Sequence, residues 1–125
     1  MSVRSIMYGT ESGDVIRGTN GADNISGRGG GDGISARDGN DVASGGNGND
    51  AVLGGDGNDD LSGGDGNDAV LGGSDNDNIN GGSGDDTLTG GPGADEFDCG
   101  GGTDTVTDFN PDEGDTAEDN CEQGV

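Results

Sequence analysis

The chain has 125 residues, of which 32 are Gly and only 24% are hydrophobic, and its 27 acidic against four basic residues, with no His, give a formal charge of −23. Such a composition excludes a large apolar core and reads by bulk statistics as disordered. It also excludes nucleic acid and insertion into membranes: phosphate contacts run on Lys and Arg, and no run of about 18 apolar residues is present to form a spanning helix.

The first segment, 1–8, is too short for a cleavable signal peptide, so a secreted chain would leave the cell without one. Within it Ser5-Ile6-Met7-Tyr8 fits a partial strand. From Gly9 to Thr107 the sequence then repeats every nine residues through eleven units with no insertion. The most regular copies are GGNGNDAVL (45–53), GGDGNDDLS (54–62) and GGDGNDAVL (63–71). Position six is Asp in every unit: Asp14, Asp23, Asp32, Asp41, Asp50, Asp59, Asp68, Asp77, Asp86, Asp95 and Asp104. Position eight is apolar in every unit: Ile16, Ile25, Ile34, Ala43, Val52, Leu61, Val70, Ile79, Leu88, Phe97 and Val106. Eleven coincidences at each of two phases do not arise in a flexible acidic linker.

One apolar residue per unit, flanked by residues pointing outward, predicts one short strand per unit. Positions one to six, rich in Gly and closed by Asn and Asp, predict a turn that visits left-handed dihedrals. Two strands and two turns then close a coil made of two successive units, and Met7 joins the series as a twelfth inward residue. Two inward stripes follow. Met7, Ile25, Ala43, Leu61, Ile79 and Phe97 face Ile16, Ile34, Val52, Val70, Leu88 and Val106. The expected fold is all-β: a parallel β-roll, or β-helix, solenoid of about six coils, each two units long.

Twelve inward side chains do not offset the entropy of ordering so Gly-rich a chain. Stacking also sets the Asp of one unit above that of the unit two later, at roughly the 4.8 Å strand spacing. Two charges at that separation repel by about 3 kcal/mol at an effective dielectric of 20. A divalent cation removes both problems. Hard oxygen ligands in a flexible turn suit Ca²⁺ better than Mg²⁺, which puts calcium ions in both rows of turns. Eleven turns paired two apart give nine internal sites, and nine such ions leave a net charge of about −5.

These units resemble the GGxGxDxUx nonapeptide of the RTX (repeats-in-toxin) proteins, a calcium-binding β-roll repeat. The tail Asp108-Phe109-Asn110-Pro111-Asp112-Glu113-Gly114-Asp115 is similar to the segment that often follows such repeats. The resemblance implies a ligand set in which one turn offers the carbonyls of positions two and four with its Asp, and the turn one coil later offers those of positions one and three with its own. Gly46, Gly48 and Asp50 would then share an ion with Gly63, Asp65 and Asp68, and Gly55, Gly57 and Asp59 with Gly72, Ser74 and Asp77. Ser12, Asp75 and the Ala36-Arg37 pair depart from the consensus and mark weaker sites.

The tail, 108–125, is expected to cap the roll. Cys99 and Cys121 leave two readings open, a disulfide that staples the tail to the last unit or two unpaired thiols. With no His and no activated nucleophile, the chain is read as a non-enzyme. Two functions fit: an extracellular structural protein, stacking end to end into a homopolymer, or the calcium-dependent folding and secretion module of a larger type I-secreted RTX protein such as a toxin, protease, lipase or adhesin. An apolar outer strip of Val15, Ala51, Leu53, Ala69 and Leu71 suits lateral contact in the first of these.

Overall fold

A computed structural model describes residues 5–118 and 120–123. Residues 1–4, on which the signal-peptide expectation rests in part, and residues 119, 124 and 125 of the tail lie outside the described residues. Among the described residues fourteen short strands alternate between two faces of a roll: β1 (Ser5–Tyr8), β2 (Val15–Arg17), β3 (Asp23–Ser26), β4 (Gly33–Ser35), β5 (Val42–Asn47), β6 (Ala51–Gly55), β7 (Asp60–Asp65), β8 (Ala69–Gly73), β9 (Asn78–Ser83), β10 (Thr87–Thr89), β11 (Glu96–Asp98), β12 (Thr105–Val106), β13 (Thr116–Ala117) and β14 (Glu122–Gln123). Odd-numbered strands form one seven-stranded sheet and even-numbered strands the other, every pairing described being parallel. The all-β roll read from the sequence is borne out. Among the described residues no helix is long and apolar enough to cross a membrane.

Register follows the repeat. Met7 lies beside Ile25, Ile25 beside Ala43, Ala43 beside Leu61, Leu61 beside Ile79 and Ile79 beside Phe97. The second stripe runs from Ile16 through Ile34, Val52, Val70 and Leu88 to Val106. Both stripes point into the roll because the side-chain period of a strand is two, so a slip of one residue would turn the whole apolar set outward. From Ile25 and Ile34 onward the stripe residues are buried, while Met7 and Ile16 at the open end are half-buried.

The tail does more than cover the last coil. It adds β13 to one sheet and β14 to the other, so the roll carries two strands beyond the twelve counted from the repeat. Its register differs from that of the repeat, in which partners stand two units apart. Glu96 pairs with Thr116, a longer step than the repeat takes, and Thr105 pairs with Glu122, a shorter one. The longer step is absorbed by a single 3₁₀ turn, Pro111–Glu113. There Pro starts the turn, the Asn110 side chain accepts the Asp112 N–H, and Gly114 ends it in a left-handed conformation. Phe109 packs edge-on against buried Phe97, with ring centres 6.4 Å apart.

Of the two readings of the cysteines, the structure has the disulfide, Cys99 to Cys121, with Cα atoms 5.1 Å apart. Cys99 stands at position one of the eleventh unit, fully buried, so the bond ties the tail to the roll's interior. Closing a loop of 22 residues is worth about 3 kcal/mol in the chain-entropy account. The C99A/C121A variant in saturating calcium is therefore expected to unfold at lower denaturant, with a stability loss of about 3 kcal/mol. An unchanged midpoint would show that the tail docks without the bond.

Candidate metal centre

Each turn places its position-six Asp with the carboxylate directed into the roll edge rather than into water. Asp23, Asp32, Asp41, Asp50, Asp59, Asp68, Asp77, Asp86, Asp95 and Asp104 are all buried, whereas Asp14 is half-buried. One oxygen of each upper carboxylate is held by the coil below. Along one edge the N–H of Asp14 donates to Oδ1 of Asp32 (2.7 Å), Asp32 to Asp50 (2.7 Å), Asp50 to Asp68 (2.7 Å), Asp68 to Asp86 (2.8 Å) and Asp86 to Asp104 (2.8 Å). The other edge repeats the pattern from Asp23 through Asp41, Asp59 and Asp77 to Asp95. It then gains a rung, because Asp95 donates to Oδ1 of Asp115 (2.8 Å).

The second oxygen is the unusual one. Oδ2 of Asp32, Asp50, Asp59, Asp68, Asp77, Asp86, Asp95 and Asp104 is buried without a hydrogen-bond partner. Leaving a buried charged acceptor unsatisfied costs several kcal/mol. Burial accordingly pushes six carboxyls up: Asp59, Asp77 and Asp86 to about 7, Asp68 and Asp95 to about 6, and Asp50 above its ordinary value. The N–H bond from the coil below opposes that rise, and the neighbouring carboxylates add to it.

What Oδ2 faces tests the fit of a cation. An ideal Cβ on Gly54 would lie 2.5 Å from Asp59 Oδ2 and 2.6 Å from the Gly72 carbonyl oxygen of the next coil. On Gly63 it would lie 2.7 Å from Asp68 Oδ2 and 2.8 Å from the Gly81 carbonyl, and on Gly72 2.5 Å from Asp77 Oδ2 and 2.7 Å from the Gly90 carbonyl. A carboxylate oxygen from one coil and a carbonyl oxygen from the next thus approach one volume that position one keeps clear by having no side chain. Two hard acceptors beside one volume suit a calcium ion. Among the described residues no group of three or more Asp, Glu, Cys or His gathers to hold a metal, so such a site draws on backbone oxygens for the rest.

The glycines named at positions two and four from the family resemblance share one backbone conformation. Gly46, Gly48, Gly55 and Gly57 all have φ between 94° and 110°. A Cβ on Gly64 or Gly66, one coil later, would strike the carbonyl of Gly46 or Gly48, which therefore points along the stack. The Asp65 carbonyl turns back to accept the Gly48 N–H (3.0 Å). The side chains of Asp65 and Ser74 face outward and bond to Ser83 and Asp56, so these residues offer the turn only their backbone. Gly63 and Gly72 are the position-one glycines just described. Arg37 and Asp75, two departures from consensus, hold the left-handed conformation without being Gly (φ 78° and 75°), and so does Arg28 (φ 77°), whose guanidinium lies 4.8 Å over the Tyr8 ring. Each costs roughly 1 kcal/mol or more relative to Gly for a bulky side chain.

Several residues with a role at this edge escaped the sequence reading. Asp115 lies 20 residues from Asp95, so a strict nine-residue count passes over it. Asp108 accepts the N–H groups of Gly90 (2.9 Å) and Gly91 (2.7 Å), closing the turn that no further repeat covers. Position-five Asn forms a counter-ladder in which Asn40 Oδ1 accepts from Asn58 N–H, Asn58 from Asn76, Asn76 from Ala94, and Asn49 from Asn67. Thr10 and Thr19 bind the carboxylates of Asp14 and Asp23.

Raised carboxyl values have a defined sign for the metal-free roll. The proton-bound carboxyl favours the fold fully below the ordinary value of 3.8, and that contribution is lost as the pH climbs through about 7. In chelator, β-structure measured by circular dichroism is expected to increase as the pH is lowered from 7.5 toward 4. A signal flat across that interval would contradict the burial of these groups.

Against known families, the chain matches the RTX calcium-binding nonapeptide repeat in four overlapping stretches, residues 8–43, 35–70, 44–79 and 71–106. No curated protein matches the chain.

Proposed function

The chain belongs to the RTX calcium-binding nonapeptide-repeat family, and from that premise we propose that it is an extracellular calcium-binding β-roll that folds when its turns load and serves as a structural protein. The carrying observation is the series of buried Oδ2 atoms, each without a hydrogen-bond donor, several of them facing a carbonyl of the next coil. Calcium, when bound, supplies the positive charge that lets a carboxylate and a neighbouring carbonyl approach one point. Everything else is done by the chain. Asp N–H groups fix the rotamer of the carboxylate above, position-one Gly leaves the space open, and left-handed Gly at positions two and four turn their carbonyls along the stack. Nine such sites follow from pairing eleven turns two apart.

Extracellular modules bind calcium at roughly 10⁻⁴–10⁻³ M, which matches a chain that stays unfolded where calcium is scarce and orders outside the cell. The Cys99–Cys121 disulfide supports the same placement, because such bonds persist in oxidising compartments. The same switch would serve the secretion-module role. Circular dichroism during a calcium titration should show a steep coil-to-β transition with several ions per chain, and magnesium should substitute poorly. A chain fully folded in excess chelator would rule the reading out.

A second reading, end-to-end stacking into fibres, draws on the charge distribution and on an outer face free of acidic side chains. All four Lys and Arg lie in residues 1–44 with six acidic residues, whereas residues 45–125 hold 21 acidic residues and no basic one. One end of the roll is therefore near neutral and the other strongly negative, an arrangement that disfavours contact between two C-terminal ends. The outer face of the even-numbered sheet is also free of acidic side chains from Val15 to Thr107, with Val15, Leu53 and Leu71 exposed. Negative-stain microscopy in millimolar calcium is expected to show filaments that vanish in chelator. Monodisperse short rods would exclude assembly.

A further inference from the structure

We infer that Thr10 and Thr19 take the place of a cation at the two N-terminal turns, which close on protein donors alone. The inference rests on the calcium reading above and restricts where along the roll that reading applies.

The turns fall into two conformations. Position two has positive φ in every unit from Arg28 through Arg37, Gly46, Gly55, Gly64, Gly73, Gly82 and Gly91 to Gly100. Position four has positive φ from Gly30 to Gly102, including Asp75. Neither position does so in the first two units, where Thr10, Ser12, Thr19 and Gly21 stand. Residue preference does not account for the division. Gly21 is free to adopt the left-handed region and stays out of it, while Arg28 and Arg37 enter it against their preference.

A shared hydrogen-bond device does account for it. The Thr10 hydroxyl accepts the Ser12 N–H (3.1 Å) and reaches the Asp14 carboxylate (3.1 Å), whose Oδ2 also accepts the Thr10 N–H (2.6 Å). The second turn repeats this: Gly21 N–H to the Thr19 hydroxyl (3.1 Å), the hydroxyl to Asp23 Oδ1 (2.8 Å) and Thr19 N–H to Asp23 Oδ2 (2.7 Å). The oxygen that goes without a donor in Asp32, Asp50 and Asp59 thus has one in the first two units. A carboxylate already held by these donors has less to offer an ion. The Gly27 and Ala36 carbonyls approach Asp14 Oδ2 and Asp23 Oδ2 beside Gly9 and Gly18 as their counterparts do in the later turns, so the donors on the carboxylate, with positions two and four outside the left-handed region, are what set these turns apart. Of the nine pairings, the two whose lower member is Asp14 or Asp23 are thereby closed, and seven remain. The N-terminal coil becomes a metal-independent end on which the loaded coils stack.

Native mass spectrometry of the full chain in saturating calcium counts the ions directly. Seven per wild-type chain is expected, nine for T10G/T19G, which restores Gly at position two, and seven for T10S/T19S, which keeps the hydroxyls. Nine ions on the wild type, or an unchanged seven on a T10G/T19G chain that circular dichroism shows to be folded, would overturn the inference while leaving the calcium reading intact. No bound calcium on any of the three would instead bring down the calcium reading, and this inference with it.

Discussion

The whole roll turns on a carboxylate oxygen that is buried and given no hydrogen-bond donor, next to a carbonyl from the coil above. At Asp59 the second oxygen and the Gly72 carbonyl border one volume beside Gly54, and the arrangement recurs at Asp68 with Gly81 and at Asp77 with Gly90. Two acceptors so placed repel, and burial raises the cost of keeping the carboxylate charged. The chain's other features accommodate this conflict. In most units glycine at position one leaves the space, left-handed residues at positions two and four aim carbonyls along the axis, and from Asp14 to Asp95 the N–H of the Asp fixes the carboxylate one coil up.

The core alone would not hold such a stack. Apart from Ala36 and Cys99 at position one, its buried apolar side chains form two single-file stripes in strands of two to six residues. Stability is therefore distributed along the edges, where each coil depends on the next, as in other solenoids. Metal-independent contacts supplement the edges: the position-five Asn ladder running opposite to the Asp ladder, the two threonine-closed turns at one end, and the disulfide-tied tail at the other.

Strand positions, inward stripes and the parallel coil were legible because they depend only on periods of two and nine, both of which the sequence keeps without a break. Asp at position six was legible for the same reason. What escaped depends on geometry that periodicity does not encode. The tail completes another coil with one step longer and one shorter than those of the repeat, so Asp115 stands out of phase with the rung it occupies. Thr10 and Thr19 read as loose copies of the consensus Gly, and only their hydroxyls on Asp14 and Asp23 give them a distinct role. Asn at position five looks like ordinary turn composition until successive coils bring each side-chain oxygen onto the next backbone N–H. The pairing of Cys99 with Cys121 required knowing that the tail returns over the eleventh unit.

The most direct test of a shared cation is a crystal structure of the chain grown with a lanthanide in place of calcium, whose anomalous scattering marks each ion independently of the polypeptide. Peaks within coordination distance of both Asp59 Oδ2 and the Gly72 carbonyl, and of their counterparts at Asp68 with Gly81 and Asp77 with Gly90, are the expected result. Ions confined to the exposed outer carboxylates, with Asp59 and Asp77 turned to solvent, would contradict the account.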